Sequence, residues 1–121
     1  MLKLTTTPSK SNVKAKCHYF EAQGNSMNNG KIYNAITDGM VLQCSEVPKD
    51  EWSAKIPELI AFSCVFMMYD GDIILKSVYY VSQDCKTITL RSLNSNKKEY
   101  PDFEIELANV RTVYIVDKRV I

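Results

Sequence analysis

Apolar and polar residues along this chain follow the spacing of strands, in which alternate side chains face a core and the rest face away. Period-two alternation or a β-rich run marks CHYFEAQ (17–23), MVLQCSEV (40–47), AFSCVFMMY (61–69) and DIILKSVYYVS (72–82). It continues through KTITLRSLN (86–94), FEIELANV (103–110) and RTVYIVDKRVI (111–121). In the KTITLRSLN run, Ile88 and Leu90, with Ser92 next in phase, take one face, and Thr87, Thr89 and Arg91 take the other. Asp70-Gly71 between two β-rich runs is the strongest hairpin signal, and Asp38-Gly39 opens the strand over 40–47. The segment GNSMNNGKIYN is dense in Gly, Asn and Ser and predicts turns and loop. Pro48 and Pro57 bracket the one good helical candidate, PKDEWSAKI, with Pro48 at a tolerated first-turn position. The sum is seven or eight strands and one short helix. This predicts an all-β or mostly-β domain built as a curled sheet or partly closed barrel.

Composition bounds what such a fold can do. A length of 121 residues, 45% of them hydrophobic, gives one packed domain with a sizeable core. Fifteen basic against fourteen acidic residues leave +1, a total that does not call for nucleic acid or an acidic membrane. Residues 1–16 carry Lys3, Lys10, Lys14 and Lys16 and no acid, a local +4, so the rest of the chain is −3. That stretch, MLKLTTTPSKSNVKAK, is expected to be a flexible basic leader or linker remnant, with the folded domain over 17–121. It lacks the apolar core of a secretory signal, and the longest mostly apolar stretch, Leu59 to Tyr69, is too short to span a bilayer. A cytoplasmic protein without a membrane partner is expected. Cys17, Cys44, Cys64 and Cys85 show no C-x-x-C pairing, and His18 is the single histidine. No metal centre or other cofactor is expected, and at least Cys44 and Cys64 read as reduced, buried strand residues.

Three polar sites stand out in this β framework. Ser26 follows Gly24, whose freedom allows successive amides to point into one concavity, as an oxyanion site requires; a serine among Gly and Asn is equally at home as a plain turn residue. Lys76 lies between Ile73, Ile74 and Leu75 on one side and Val78, Tyr79 and Tyr80 on the other. Such a lysine either runs outward along the sheet or is drawn inward, where desolvation favours the neutral amine that a general base must be. The third site gathers Ser92, Asn94 and Ser95 ahead of Tyr100-Pro101-Asp102, and a polar loop between strands accounts for it as well.

In chain order the pieces F-x-A-x-G-N-S-M, D-G-M-V-L, G-D-I-I-L-K, L-R-S-L-N, Y-P-D-F-E-I and V-Y-I-V-D-K-R-V resemble the C-terminal serine peptidase domain of LexA-type and phage repressors. The resemblance covers about residues 18–121 and is closest to members with a longer segment, here Glu46 to Cys64, before the lysine hairpin. It implies a LexA/signal-peptidase-like fold and a catalytic Ser-Lys dyad. Ser26 is then the nucleophile and Lys76 its base, the backbone amides of Asn25 and Ser26 bind the oxyanion, and Gly24 and Met27 line the cleft. Such a site needs no histidine. The implied function is self-cleavage and dimerisation of a transcriptional regulator, with a peptide segment of the parent chain as substrate. DNA would be bound only through a helix-turn-helix domain that this chain does not contain.

The chain departs from the family pattern at Asn25, where many relatives have Asp, and in residues 1–23, which contain no glycine for a small-residue-Gly cleavage site. It is therefore expected to be a fragment of a longer regulator, a stand-alone relative, or a member that has lost self-cleavage. A catalytically silent dimerisation module on the same fold is the competing reading. A signal peptidase is disfavoured, because those relatives carry a membrane anchor. For association the sequence offers the C-terminal VRTVYIVDKRVI, either as an open edge strand that invites pairing into a homodimer or as a buried last strand.

Overall fold

The computed structural model describes residues 17–30 and 35–120, together with the backbone of 2–5. Eight strands form one mostly antiparallel, curled half-barrel sheet: β1 (Leu2–Thr5), β2 (Cys17–Ala22), β3 (Val41–Val47), β4 (Ser63–Met68), β5 (Ile73–Val81), β6 (Thr87–Arg91), β7 (Phe103–Glu106) and β8 (Val110–Arg119). Their order across the sheet is β1-β2-β3-β8-β4-β5-β6-β7, and every paired neighbour runs antiparallel. Among the described residues the predicted mostly-β fold with one short helix is what forms.

Alternation explains the layering. On β4, Val65 packs with Phe20, Leu42, Leu75 and Tyr114, whereas its neighbours Cys64 and Phe66 pack with Val78, Leu90 and Val113. On β8, Val113 and Tyr114 divide in the same way. The central strands are therefore covered on both faces, which is why β4 reads as a nearly unbroken apolar run. The second face is closed by α1 (Trp52–Lys55) and the 3-10 turns on either side of it, Lys49–Glu51 and Ile56–Leu59. Trp52, Ile56 and Leu59 recur at helical spacing and are buried, and the Trp52 indole N–H donates to the Val47 carbonyl at 3.0 Å. Cys44 and Cys64 are free and buried as expected, and burial pushes both thiols up to about 12.

Two expectations change. Leu2–Thr5, read as part of a flexible leader, pairs with β2 from Leu2↔Ala22 to Thr5↔Tyr19, an open edge that this short alternating run can extend. Residues 6–16 lie outside the described residues. The open-edge reading of the C-terminal segment also fails for most of its length, because β8 sits between β3 and β4, paired with β4 as far as Ile115; beyond that its last residues, through Arg119, pair with β3 alone. Among the described residues no helix is long and apolar enough to cross a membrane.

The curl sets up the site. It brings β1 back into contact with β5. β5 pairs with β6 only from Ser77 onward, so its first half, Ile73–Lys76, has β4 on one side and no β6 partner on the other. A groove of about 390 Å³ runs along this half-strand, lined by Gly71 to Lys76 and by Phe103 of β7.

Candidate active site

β2 ends at Ala22, and the chain turns sharply at Gly24, whose φ of +85° lies in the region that favours glycine. The Gly24 N–H donates to Asp38 Oδ1 at 2.7 Å, so the Asp38-Gly39 turn holds this corner from outside. Asn28 closes the turn by donating its N–H to the Asn25 carbonyl at 3.1 Å. Met27 then drops into the inner core beside Phe20 and Leu42, and its carbonyl accepts from the Ile36 N–H at 3.0 Å. Ser26 is thereby fixed between an anchored side chain and a capped corner. Met27 does not line an open cleft as expected. At 2% exposure it is a core residue that anchors the turn from below.

Lys76 reaches this turn. Its Nζ lies 3.0 Å from Ser26 Oγ, and the bond is partly buried. The two residues are fifty positions apart in sequence, and only the curled sheet joins them. Burial holds the Lys76 amine below its usual value, and the Lys97 ammonium lowers it further. Directly across the ladder stands Cys64 of β4, an uncharged thiol over the ordinary pH range. The bond then has two forms. As an ammonium, Lys76 donates to Ser26 Oγ; as an amine, it accepts the serine proton, and the hydroxyl is primed for attack.

The third polar cluster is a brace for this dyad. The Asn94 N–H donates to the Ser26 carbonyl at 2.9 Å, and Asn94 Nδ2 donates to the Asn25 carbonyl at 3.0 Å. Ser92 is buried, in phase with Ile88 and Leu90 as the alternation predicts, and its carbonyl accepts from Lys97 Nζ. The Asn25 and Ser26 amides have no acceptor among the described residues, while that of Gly24 is taken by Asp38. Sequence reading put Ser26, Lys76, Asn25 and Gly24 forward, and they meet here. The sequence marks Asn94 as part of a polar cluster that a loop accounts for equally well, and nothing local to Asp38 or Lys97 marks either for the site. The only signals for these were a turn dipeptide and a polar loop composition.

Comparison of the chain with family models, with characterised proteins and with solved structures finds no match. The fold and the dyad geometry therefore carry whatever is inferred about function.

Proposed function

We propose that this domain is a serine peptidase that works through a Ser26-Lys76 dyad, as the resemblance to the LexA-type and phage-repressor domain implies. The contact between Lys76 Nζ and Ser26 Oγ at 3.0 Å carries the reading. That distance is within the reach a nucleophile and its base require.

Lys76 in its amine form takes the proton from Ser26 Oγ as the oxygen attacks a peptide carbonyl. The Oγ–C bond forms, and the Asn25 and Ser26 amides receive the developing oxyanion. Collapse breaks the C–N bond, and Lys76 passes its proton to the departing amine. A water then gives a proton to Lys76 while its oxygen attacks the acyl ester, and Ser26 is released with its hydroxyl restored. The groove beside the unpartnered half of β5 offers backbone groups to an extended peptide, the usual way a strand edge holds a chain. The substrate class is a peptide segment of the parent regulator, cut intramolecularly in the cytoplasm, with the domain also associating into a homodimer. The alternative is an interaction module of a regulator on the same fold. Residues 1–23 contain no glycine, so on the peptidase reading the bond that is cut is not a small-residue-Gly bond within them.

The test is to incubate the intact protein between pH 7 and 10 and follow it by mass spectrometry. Cleavage in the wild type that disappears in both Ser26→Ala and Lys76→Met supports the dyad. Cleavage that persists in both variants removes it, and a wild type that stays whole leaves the interaction module.

A further inference from the structure

The groove beside the first half of β5 has a chemistry of its own. β6 ends at Arg91 and β7 begins at Phe103, opposite Leu90, so the sheet stops short of Ile73–Lys76 and Phe103 stands where the ladder ends. In an antiparallel ladder alternate residues turn their N–H and C=O to opposite edges, and along Ile73–Lys76 β6 offers those groups no partner. The walls are apolar: Phe103 is 38% exposed, and Ile73 and Ile74 are only partly buried. Lys76 closes one end of the groove beside Ser26, and Asp72 lines the other. The two lie four positions apart, roughly 13 Å along an extended strand.

Asp72 is a charge without a cation. Its N–H donates to Asp70 Oδ1 at 2.9 Å and its carbonyl accepts from the Met68 N–H at 2.9 Å, so the turn fixes its backbone while the residue stays exposed. The ion pairs among the described residues are His18 with Glu46, and Arg91 and Lys97 with Asp102; none reaches Asp70 or Asp72. The groove is therefore negative at the hairpin end, apolar in the middle and open to hydrogen bonding along one side.

Resting on the reading of this groove as the dyad's substrate channel, we propose that it selects an extended peptide segment carrying a large apolar side chain against Phe103 and a lysine or arginine beside Asp72.

Each part of that ligand answers a feature of the wall. Pairing along Ile73–Lys76 holds the segment extended and uses only its backbone. Alternate side chains of such a segment share one side, which lets an apolar residue meet the exposed part of Phe103. A cation at the hairpin end meets the Asp72 carboxylate, whereas an acidic residue there meets Asp72 with Asp70 close behind it, so the choice rests on repulsion as much as on attraction. An exposed pair of this kind adds little affinity and serves as the discriminator. With the scissile carbonyl at Ser26, the basic residue falls about four positions along the segment from the bond that is cut.

The experiment measures binding without turnover, in the full chain carrying Ser26→Ala. The probes are three short capped peptides with the same Val- and Leu-rich centre, flanked on both sides by Lys, by Gln or by Glu. Backbone NMR should map binding to Ile73–Lys76 and Phe103, with the Lys-flanked peptide tightest and the Glu-flanked one weakest. Asp72→Asn should weaken the Lys-flanked peptide about two- to fivefold, the range of an exposed ion pair, and leave the Gln-flanked one unchanged. Asp72→Lys should reverse the order, and salt at about 1 M should flatten it. Phe103→Ala should weaken all three at least about fivefold, and Phe103→Leu, which keeps an apolar wall, should retain most of the affinity, with thermal unfolding showing that each variant is folded. Equal affinity for the three peptides, an order that survives Asp72→Lys, or binding that bypasses Ile73–Lys76 overturns the proposal, even where Ser26-dependent cleavage is found. A Lys preference that reverses in Asp72→Lys, in a protein whose intact Ser26 cuts nothing, rejects the peptidase reading and leaves the selectivity of the groove standing.

Discussion

Asn94 grips the Ser26 turn at two points, with its backbone N–H on the Ser26 carbonyl at 2.9 Å and its side-chain amide on the Asn25 carbonyl at 3.0 Å. The backbone bond survives any substitution except proline, so Asn94→Ala removes only the side-chain contact. Loss of one partly solvated hydrogen bond should lower stability by about 1 kcal/mol. On the proposed peptidase reading the effect on hydrolysis should be larger, roughly ten- to a hundredfold, because Ser26 Oγ would have to stay aligned with both Lys76 and the scissile carbonyl. Denaturant unfolding beside a cleavage time course separates the two. Equal small losses in both would show that Asn94 does not orient the nucleophile.

If Lys76 is the base of the proposed dyad, its state makes activity and stability move in opposite directions on substitution. Its amine is depressed by burial first and by Lys97 second, so hydrolysis should rise about tenfold per pH unit up to the Lys76 midpoint and then level off. For stability the sign follows from the same shift. A lysine whose folded value lies below its unfolded value contributes stability above the unfolded value, and loses it as pH falls through the folded one. At and below that midpoint the folded protein carries an ammonium in a partly desolvated place. Lys76→Met should therefore unfold at a higher temperature than wild type in mildly acidic buffer and abolish cleavage at every pH. A lower unfolding temperature in that variant would show that the bond to Ser26 outweighs the desolvation.

Tyr114 tests the position of β8. On an open edge, a charge there would only separate protomers. In the structure Tyr114 is 6% exposed, with its ring 5.1 Å from that of Phe20 and 4.8 Å from that of His18. Tyr114→Asp places an unpaired carboxylate between β3 and β4 and should cost at least about 3 kcal/mol, a large share of the roughly 5 to 15 kcal/mol that holds a small domain folded. Denaturant unfolding and gel filtration together decide the point. A monomer from this variant as stable as wild type would argue for the edge.

Much of this architecture is legible in short stretches of sequence. The Asp70-Gly71 hairpin forms with Gly71 at a φ of +98° and its N–H on the Met68 carbonyl, because the dipeptide supplies the backbone freedom the turn needs. Ile88, Leu90 and Ser92 all point inward, since period-two phase needs no knowledge of the partner strand. The placement of β8 is different. Val113 can pair with Val47 on one side and Phe66 on the other only after the chain has closed long loops, and no local pattern encodes that choice. Nor does Lys97 differ locally from Lys98. What distinguishes it is the Ser92 carbonyl it meets in three dimensions.

Gly24 shows how conformation, rather than space, constrains the site. At a φ of +85°, an added Cβ would find no heavy atom within 4 Å, so Gly24→Ala meets no steric clash. Its cost is the left-handed backbone itself, about 1 to 2 kcal/mol for a residue with a Cβ. Asn tolerates that region better, so Gly24→Asn should lose less. If the corner relaxes toward ordinary backbone geometry instead, the Gly24 N–H leaves Asp38 and Ser26 moves off Lys76. Gly24→Ala should then lose hydrolysis well beyond its stability loss, with Gly24→Asn keeping most of both. Calorimetry and cleavage rates on the two variants check this ordering, and an alanine variant as active and as stable as wild type would show that the corner does not set the position of Ser26.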